Sequence, residues 1–247
     1  RTAVANSDSH ERRTNGGSVR SYVASAVTDP AALWTEADTL AANVTAGRAV
    51  GTNAPFMTIT ARAPATDAIA SLGLDHPTIV ATPDGHAEVT VTVRSPLWAE
   101  FDRIELYVNA PTGRWDHDAN PATRDRYRVT PQIVQHAGTD FVRTTVVDDP
   151  SIPGAGHYEA TAVFPLESIT EDTWVIAMTG GTAGTSRPLF PVQPFGIPAS
   201  GNDTLAALTD GNLGEGGELA LAFTNALYID VPPAGWTAPG IRLTTPP

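Results

Sequence analysis

Asp8 and His10 stand two residues apart in Asn6-Ser7-Asp8-Ser9-His10, directly after a short strand-like run, Arg1-Thr2-Ala3-Val4-Ala5. Side chains at i and i+2 of a chain leaving a sheet project to one side, so a carboxylate and an imidazole at this spacing can converge on one divalent metal. A surface Ser-Asp-Ser-His turn is the alternative reading of the same residues. Even open catalytic sites take about three protein ligands, so a metal at Asp8 and His10 needs a companion segment to complete its site. The other histidines, His76, His86, His117, His136 and His157, show neither His-x-His nor His-Glu-x-x-His spacing. They read as surface or capping residues.

A second oxygen-rich stretch, Asp116-His117-Asp118-Ala119-Asn120, sets Asp116, Asp118 and Asn120 at alternate positions, like the first half of a calcium loop. Pro121 then stands where that loop needs its glycine, and Tyr127 where it needs its bidentate Glu. Calcium binding therefore competes with a plain polar turn packed on Trp115. No Gly-x-Ser-x-Gly elbow occurs, and the Gly211–Gly217 stretch does not sit between a strand and a helix. Serine nucleophilic catalysis and dinucleotide binding thus lack support. Trp34, Trp98, Trp115, Trp174 and Trp236 read mostly as core and edge packing, with a carbohydrate platform as the alternative.

The elements that must position these residues emerge from composition and periodicity. The 247 residues hold 15 Arg, no Lys and 27 acidic residues, for a net charge of −12, which argues against nucleic acid as a partner. The absence of Lys reads as a codon habit of a GC-rich genome. With no Cys there are no disulfides or thiolate sites, and no apolar run approaches the roughly 20 residues of a membrane span. The 21 Gly and 21 Pro suit a turn-rich β protein.

Thr28-Asp29-Pro30 predicts a helix start, with apolar residues from Ala31 to Val44 at three- and four-residue steps and Gly47 as the C-terminal cap. Alternation then predicts strands at Met57–Arg62, Ala87–Arg94, Arg103–Asn109, Tyr127–Val134, Phe141–Val147, His157–Phe164, Thr173–Met178 and Leu219–Ile229, after an earlier one at Val19–Val23. Strands at this density with one helix predict a mainly β protein, an antiparallel β-sandwich preceded by a short strand-loop-helix segment. A Pro/Gly/Ser-rich connection is expected near 180–217.

Several segments together carry a family resemblance. These are the Asp8/His10 pair, Arg20 before Ser21-Tyr22-Val23, the helix from Pro30 to Ala46, and Gly47-Arg48-Ala49-Val50-Gly51-Thr52-Asn53-Ala54-Pro55. Ser186-Arg187-Pro188-Leu189-Phe190-Pro191 and Leu221–Asp230 extend it. The chain resembles the C-terminal part of the PHP (polymerase and histidinol phosphatase) metallohydrolase superfamily, with Ala54 replacing the usual Gly. The resemblance implies that residues 1–55 end a PHP-type α/β barrel and that residues 56–247 form a β-sandwich. It further implies that Asp8 and His10 are ligands of divalent zinc, manganese or iron, which activates water for ester hydrolysis. Arg20 and Arg48 would neutralise an anionic substrate or serve as surface ion-pair residues, and Asn53 is expected to shape the turn before Pro55.

The resulting expectation is the C-terminal part of a secreted or extracytoplasmic bacterial phosphoesterase-type hydrolase. The chain would be a mature or cleaved fragment, inactive until an upstream barrel segment or companion chain supplies the remaining ligands. The alternative is a noncatalytic β-sandwich for binding or surface attachment.

Overall fold

The computed structural model describes residues 2–5, 19–110, 112–113, 131–182, 185–187, 189, 219–232, 235–239 and 243–244. Its strands in chain order begin with β1 (Arg20–Val23), β2 (Ala49–Thr52), β3 (Phe56–Ala63), β4 (Ala68–Ser71) and β5 (Ile79–Ala81). Then come β6 (Ala87–Pro96), β7 (Arg103–Val108), β8 (Thr112–Gly113), β9 (Ile133–His136) and β10 (Thr144–Val147). The last are β11 (Gly156–Leu166), β12 (Thr173–Gly180), β13 (Leu221–Thr224), β14 (Leu227–Asp230) and β15 (Leu243–Thr244). A 3-10 segment, Pro30–Glu36, runs into the helix α1 (Ala37–Thr45) between β1 and β2.

Two sheets face each other, as the mainly β sandwich reading expects. The smaller is antiparallel throughout, in the order β10-β11-β6-β3-β4. In the larger, β12 carries β7 and then β9 along one edge, and β13 and β14 in succession along the other. β2 and β1 extend the sheet beyond β13, and β5 pairs in parallel with β14. The pleat sends alternate side chains inward. Met57, Ile59 and Ala61 of β3, Val89, Val91 and Val93 of β6, and Ala162 and Phe164 of β11 therefore pack against Ile104, Leu106, Val175, Ala177, Leu227 and Ile229 of the facing sheet. On the outer face, direct cross-strand partners complement each other: Arg94 Nε donates to Glu159 at 2.6 Å, and the Thr92 and Thr161 hydroxyls meet at 3.1 Å.

The helix signal holds at both ends. Asp29 accepts from the Ala31 N–H at 2.9 Å with Pro30 at the first helical position, although the first seven residues wind as 3-10. At the other end Gly47, at φ +77°, closes a Schellman motif. The Arg48 N–H reaches Asn43 O and the Gly47 N–H reaches Val44 O, both at 2.9 Å. No residue of either helical segment is fully buried: Leu33 and Trp34 are exposed, while Leu40 and Val44 are half-buried.

The single strand expected at Leu219–Ile229 is two. It breaks at Asn225-Ala226, where the Thr224 hydroxyl accepts the Ala177 N–H at 2.9 Å in place of a backbone partner. β2, β4 and β5 are strands that the alternation does not predict. All four residues of β2 are buried, which erases the period-two alternation, and β5 has only three residues. β10 starts at Thr144, three residues later than expected, because Phe141 is held by a bridge to Ala137 and Arg143 turns its guanidinium onto Phe101 O. Core or edge packing, expected for most of the tryptophans, does not extend to Trp34, which is 90% exposed on the 3-10 segment, and Trp98 is 44% exposed. Tyr127–Thr130, Trp115 and most of 180–217 lie outside the described residues.

Candidate functional site

Residues 2–5, the run that leads to Asp8 and His10, are fastened to the sandwich by side chains standing in for a strand partner. Asn225, only 5% exposed, accepts the Ala3 N–H at 2.8 Å through Oδ1. Its Nδ2 donates to Ala3 O at 3.0 Å and to Ala49 O at 2.8 Å. Two residues on, the Ser21 hydroxyl accepts the Ala5 N–H at 2.8 Å and donates to Ala5 O at 3.0 Å. Thr2 adds a bond from its hydroxyl to Thr45 O at the end of α1. The break between β13 and β14 thus has a purpose: it frees Asn225 to bind two backbones outside its own strand pair. The sequence carries a sign of this in one amide within the largely apolar run from Leu221 to Ile229, but its role is legible only with Ala3 placed beside it.

Ala5, bonded to the Ser21 hydroxyl, is three residues ahead of Asp8. Asp8 and His10 themselves lie outside the described residues, as do Asp116, Asp118 and Asn120 of the candidate calcium loop. Among the described residues no group of three or more His, Asp or Glu side chains is arranged to hold a metal. A carboxylate and an imidazole suit a divalent transition metal as donors, and these two leave its coordination incomplete.

Arg20 and Arg48 are both placed. Arg20, on β1, donates from Nε to the Tyr22 hydroxyl at 3.0 Å, with its guanidinium carbon 5.5 Å from that ring's centroid. Tyr22 in turn meets Phe56 edge-on, centroids 5.2 Å apart. Arg48 comes directly after the Schellman glycine, which aims it toward the β4–β5 loop. There Nη2 donates to His76 O at 3.0 Å, while Nη1 is shut from solvent with no acceptor among the described residues. Tyr22, Phe56 and Arg48 line a cavity of about 720 Å³ at the open side of the sandwich, between β1–β2 and β3–β4; Arg20 does not line it.

Asn53 does not confine itself to the turn before Pro55. Its Nδ2 donates to Leu219 O and its Oδ1 accepts the Leu221 N–H, both at 2.8 Å, which fixes the entry to β13. The turn is instead capped by Thr52, whose hydroxyl accepts the Ala54 N–H at 2.9 Å. Ser186 and Arg187 are likewise structural. Asp102 accepts the hydroxyls of Thr182, Thr185 and Ser186 at 2.7 to 2.8 Å, and Arg187 pairs with Glu100 at 2.7 Å. Partial burial pushes the Asp102 carboxyl up, but the bonds from Thr185, Thr182 and Ser186 outweigh it and hold its pKa below the usual Asp value.

Of the remaining histidines, His86 caps its own turn through Nδ1 and Asp84 O at 2.8 Å. His157 Nδ1 sits 2.8 Å from Asp148 on the β10–β11 hairpin. Compared with known proteins, the chain matches no family, and no curated protein matches it.

Proposed function

We propose that this chain is the C-terminal part of a PHP-like, metal-dependent hydrolase of the phosphoesterase type, in which Asp8 and His10 are metal ligands. The observation that carries the reading is the double fastening of residues 2–5 by Asn225 and Ser21. The four hydrogen bonds offset the entropy lost in ordering this segment and tie the chain three residues ahead of Asp8. The sandwich is the support that fixes where the Asp-x-His pair departs. A divalent zinc, manganese or iron ion held there would supply Lewis-acid activation of water and of the scissile ester. The remaining ligands come from a barrel segment upstream or from a companion chain, in an extracytoplasmic bacterial setting.

Native mass spectrometry tests this. A complex carrying a barrel-sized polypeptide and several metal ions, which lose occupancy with Asp8→Asn and His10→Gln, is the expected result. Metal uptake indifferent to both substitutions overturns it. The second reading, a noncatalytic binding module, draws on the cavity beside Arg48. It predicts ligand binding with no tight transition metal in any preparation.

A further inference from the structure

The cavity between β1–β2 and β3–β4 has a chemistry that selects its ligand. Its volume of about 720 Å³ falls in the range of small-molecule sites. Val50, Met57, Ile59 and Leu72 supply aliphatic wall, and Tyr22 and Phe56 supply aromatic edges. One cation, Arg48, breaks this surface. Among the described residues its one hydrogen bond runs to a neutral carbonyl, His76 O, and its other terminal nitrogen has no acceptor. Among the described residues no carboxylate lies within ion-pair distance of it. Asp75, also in the lining, is spent instead on the Ser71 hydroxyl at 3.2 Å and on His76 at 3.4 Å, with 71% of its side chain exposed at the rim.

A guanidinium cannot shed its charge, and a half-buried one without a counter-ion is a standing cost. We propose that this cavity binds a monocarboxylate with a compact apolar body, its carboxylate supplying the acceptor that Arg48 lacks. The fork of a guanidinium matches two carboxylate oxygens, and one cation suits one negative charge. Nη1 is screened as the cavity stands, so the head group engages it through a turn of the guanidinium, which one hydrogen bond holds. The chain's net charge of −12 repels anions at long range, so a preference for the anion has to come from Arg48 itself. The lining residues named here are all described ones, and the ligand is independent of the hydrolase reading.

The test is calorimetric titration of the whole chain with 2-naphthylacetate and with its neutral amide. The acid is expected to bind with a Kd below about 1 mM, and the amide about tenfold or more weaker, the scale of one charge-assisted hydrogen bond. Arg48→Met should bring the acid to the level of the amide and leave the amide unchanged. Leu74→Glu, at an exposed lining position, should weaken both. Equal affinity for acid and amide overturns the proposal, as does acid binding unaffected by either substitution. So does the absence of any heat at about 5 mM ligand, a concentration above the weakest useful affinity. Should Arg48→Met fail to fold by circular dichroism, the acid-to-amide ratio on the unaltered chain decides alone. Carboxylate binding by a chain devoid of metal sustains this proposal and leaves the hydrolase reading, which awaits its companion segment, to its own test.

Discussion

Asn225→Ala removes three side-chain hydrogen bonds at once, and the structure says how the loss divides. Two of the three serve Ala3, through its N–H and its C=O, and the third serves Ala49 O. A net worth of about 1 kcal/mol per bond would give about 3 kcal/mol if nothing replaced them. Ala3 is exposed and regains water on release, and Ala49 O keeps the Asn225 N–H at 3.3 Å. The expected global cost is therefore nearer 2 kcal/mol, a lower urea midpoint with an unchanged slope.

The local effect is the sharper readout. Loss of both Ala3 bonds lowers the free energy of opening residues 2–5 by about 2 kcal/mol, so hydrogen exchange at the Ala3 amide should accelerate about 30-fold. Ala5, held separately by Ser21, should accelerate less. Asn225→Asp keeps the acceptor for Ala3 N–H but turns a carboxylate toward two carbonyl oxygens. It should cost more than Asn225→Ala at pH 7 and recover in acid. Unchanged Ala3 exchange in Asn225→Ala, with any loss confined to global stability, would refute the claim that Asn225 fastens this segment.

Gly51 faces Phe223, and a Cβ built there would lie 2.2 Å from that ring. Gly51→Ala should cost about 1–3 kcal/mol in urea melts, and Phe223→Leu in the same chain should recover part of it. Asp102, with its depressed pKa, stabilises the fold above the unfolded Asp value near 3.9, a contribution lost as pH falls through the lower folded value. Asp102→Asn should therefore lower Tm at pH 7 and converge with the parent in strong acid; parallel curves would exclude the carboxylate as the cause. Asp230 has the opposite sign, raised by burial and then by the neighbouring Asp172 carboxylate, so its ionised form is a liability above its folded pKa. Asp230→Asn should raise Tm at pH 7 and bring no gain at low pH, and a fall at pH 7 would overturn that reading.

Where a strand alternates over many residues, its place is legible from sequence. β6, with Ala87, Val89, Val91 and Val93 inward and Glu88, Thr90, Thr92 and Arg94 outward, keeps the pattern along its length. The caps of the helix are legible for a related reason, since Asp29, Pro30 and Gly47 each act through local backbone geometry. Features that escape the sequence depend on partners distant along the chain. β2 is buried on both faces and so has no alternation to read. The division of β13 from β14 is set by Asn225 meeting Ala3, 222 residues away. Arg48 is visible as a candidate anion contact, but the cavity it lines needs β1, β3 and the loop after β4 brought together. The apolar stripe through Leu33 and Trp34 signals a buried face, whereas Leu33 and Trp34 are exposed.

If the segment fastened by Asn225 and Ser21 presents Asp8 and His10 to a divalent metal, Mn²⁺ should associate with the pair, weakly until a companion segment completes the site. Paramagnetic broadening by Mn²⁺ in the isotope-labelled chain tests this most directly, because it registers even a weakly held ion and needs no catalysis. The amide signals of residues 6–12 should broaden first and those of Ala5 and Ser21 next, with the effect abolished by Asp8→Asn or His10→Gln. Broadening centred elsewhere, or unchanged by both substitutions, would contradict the claim.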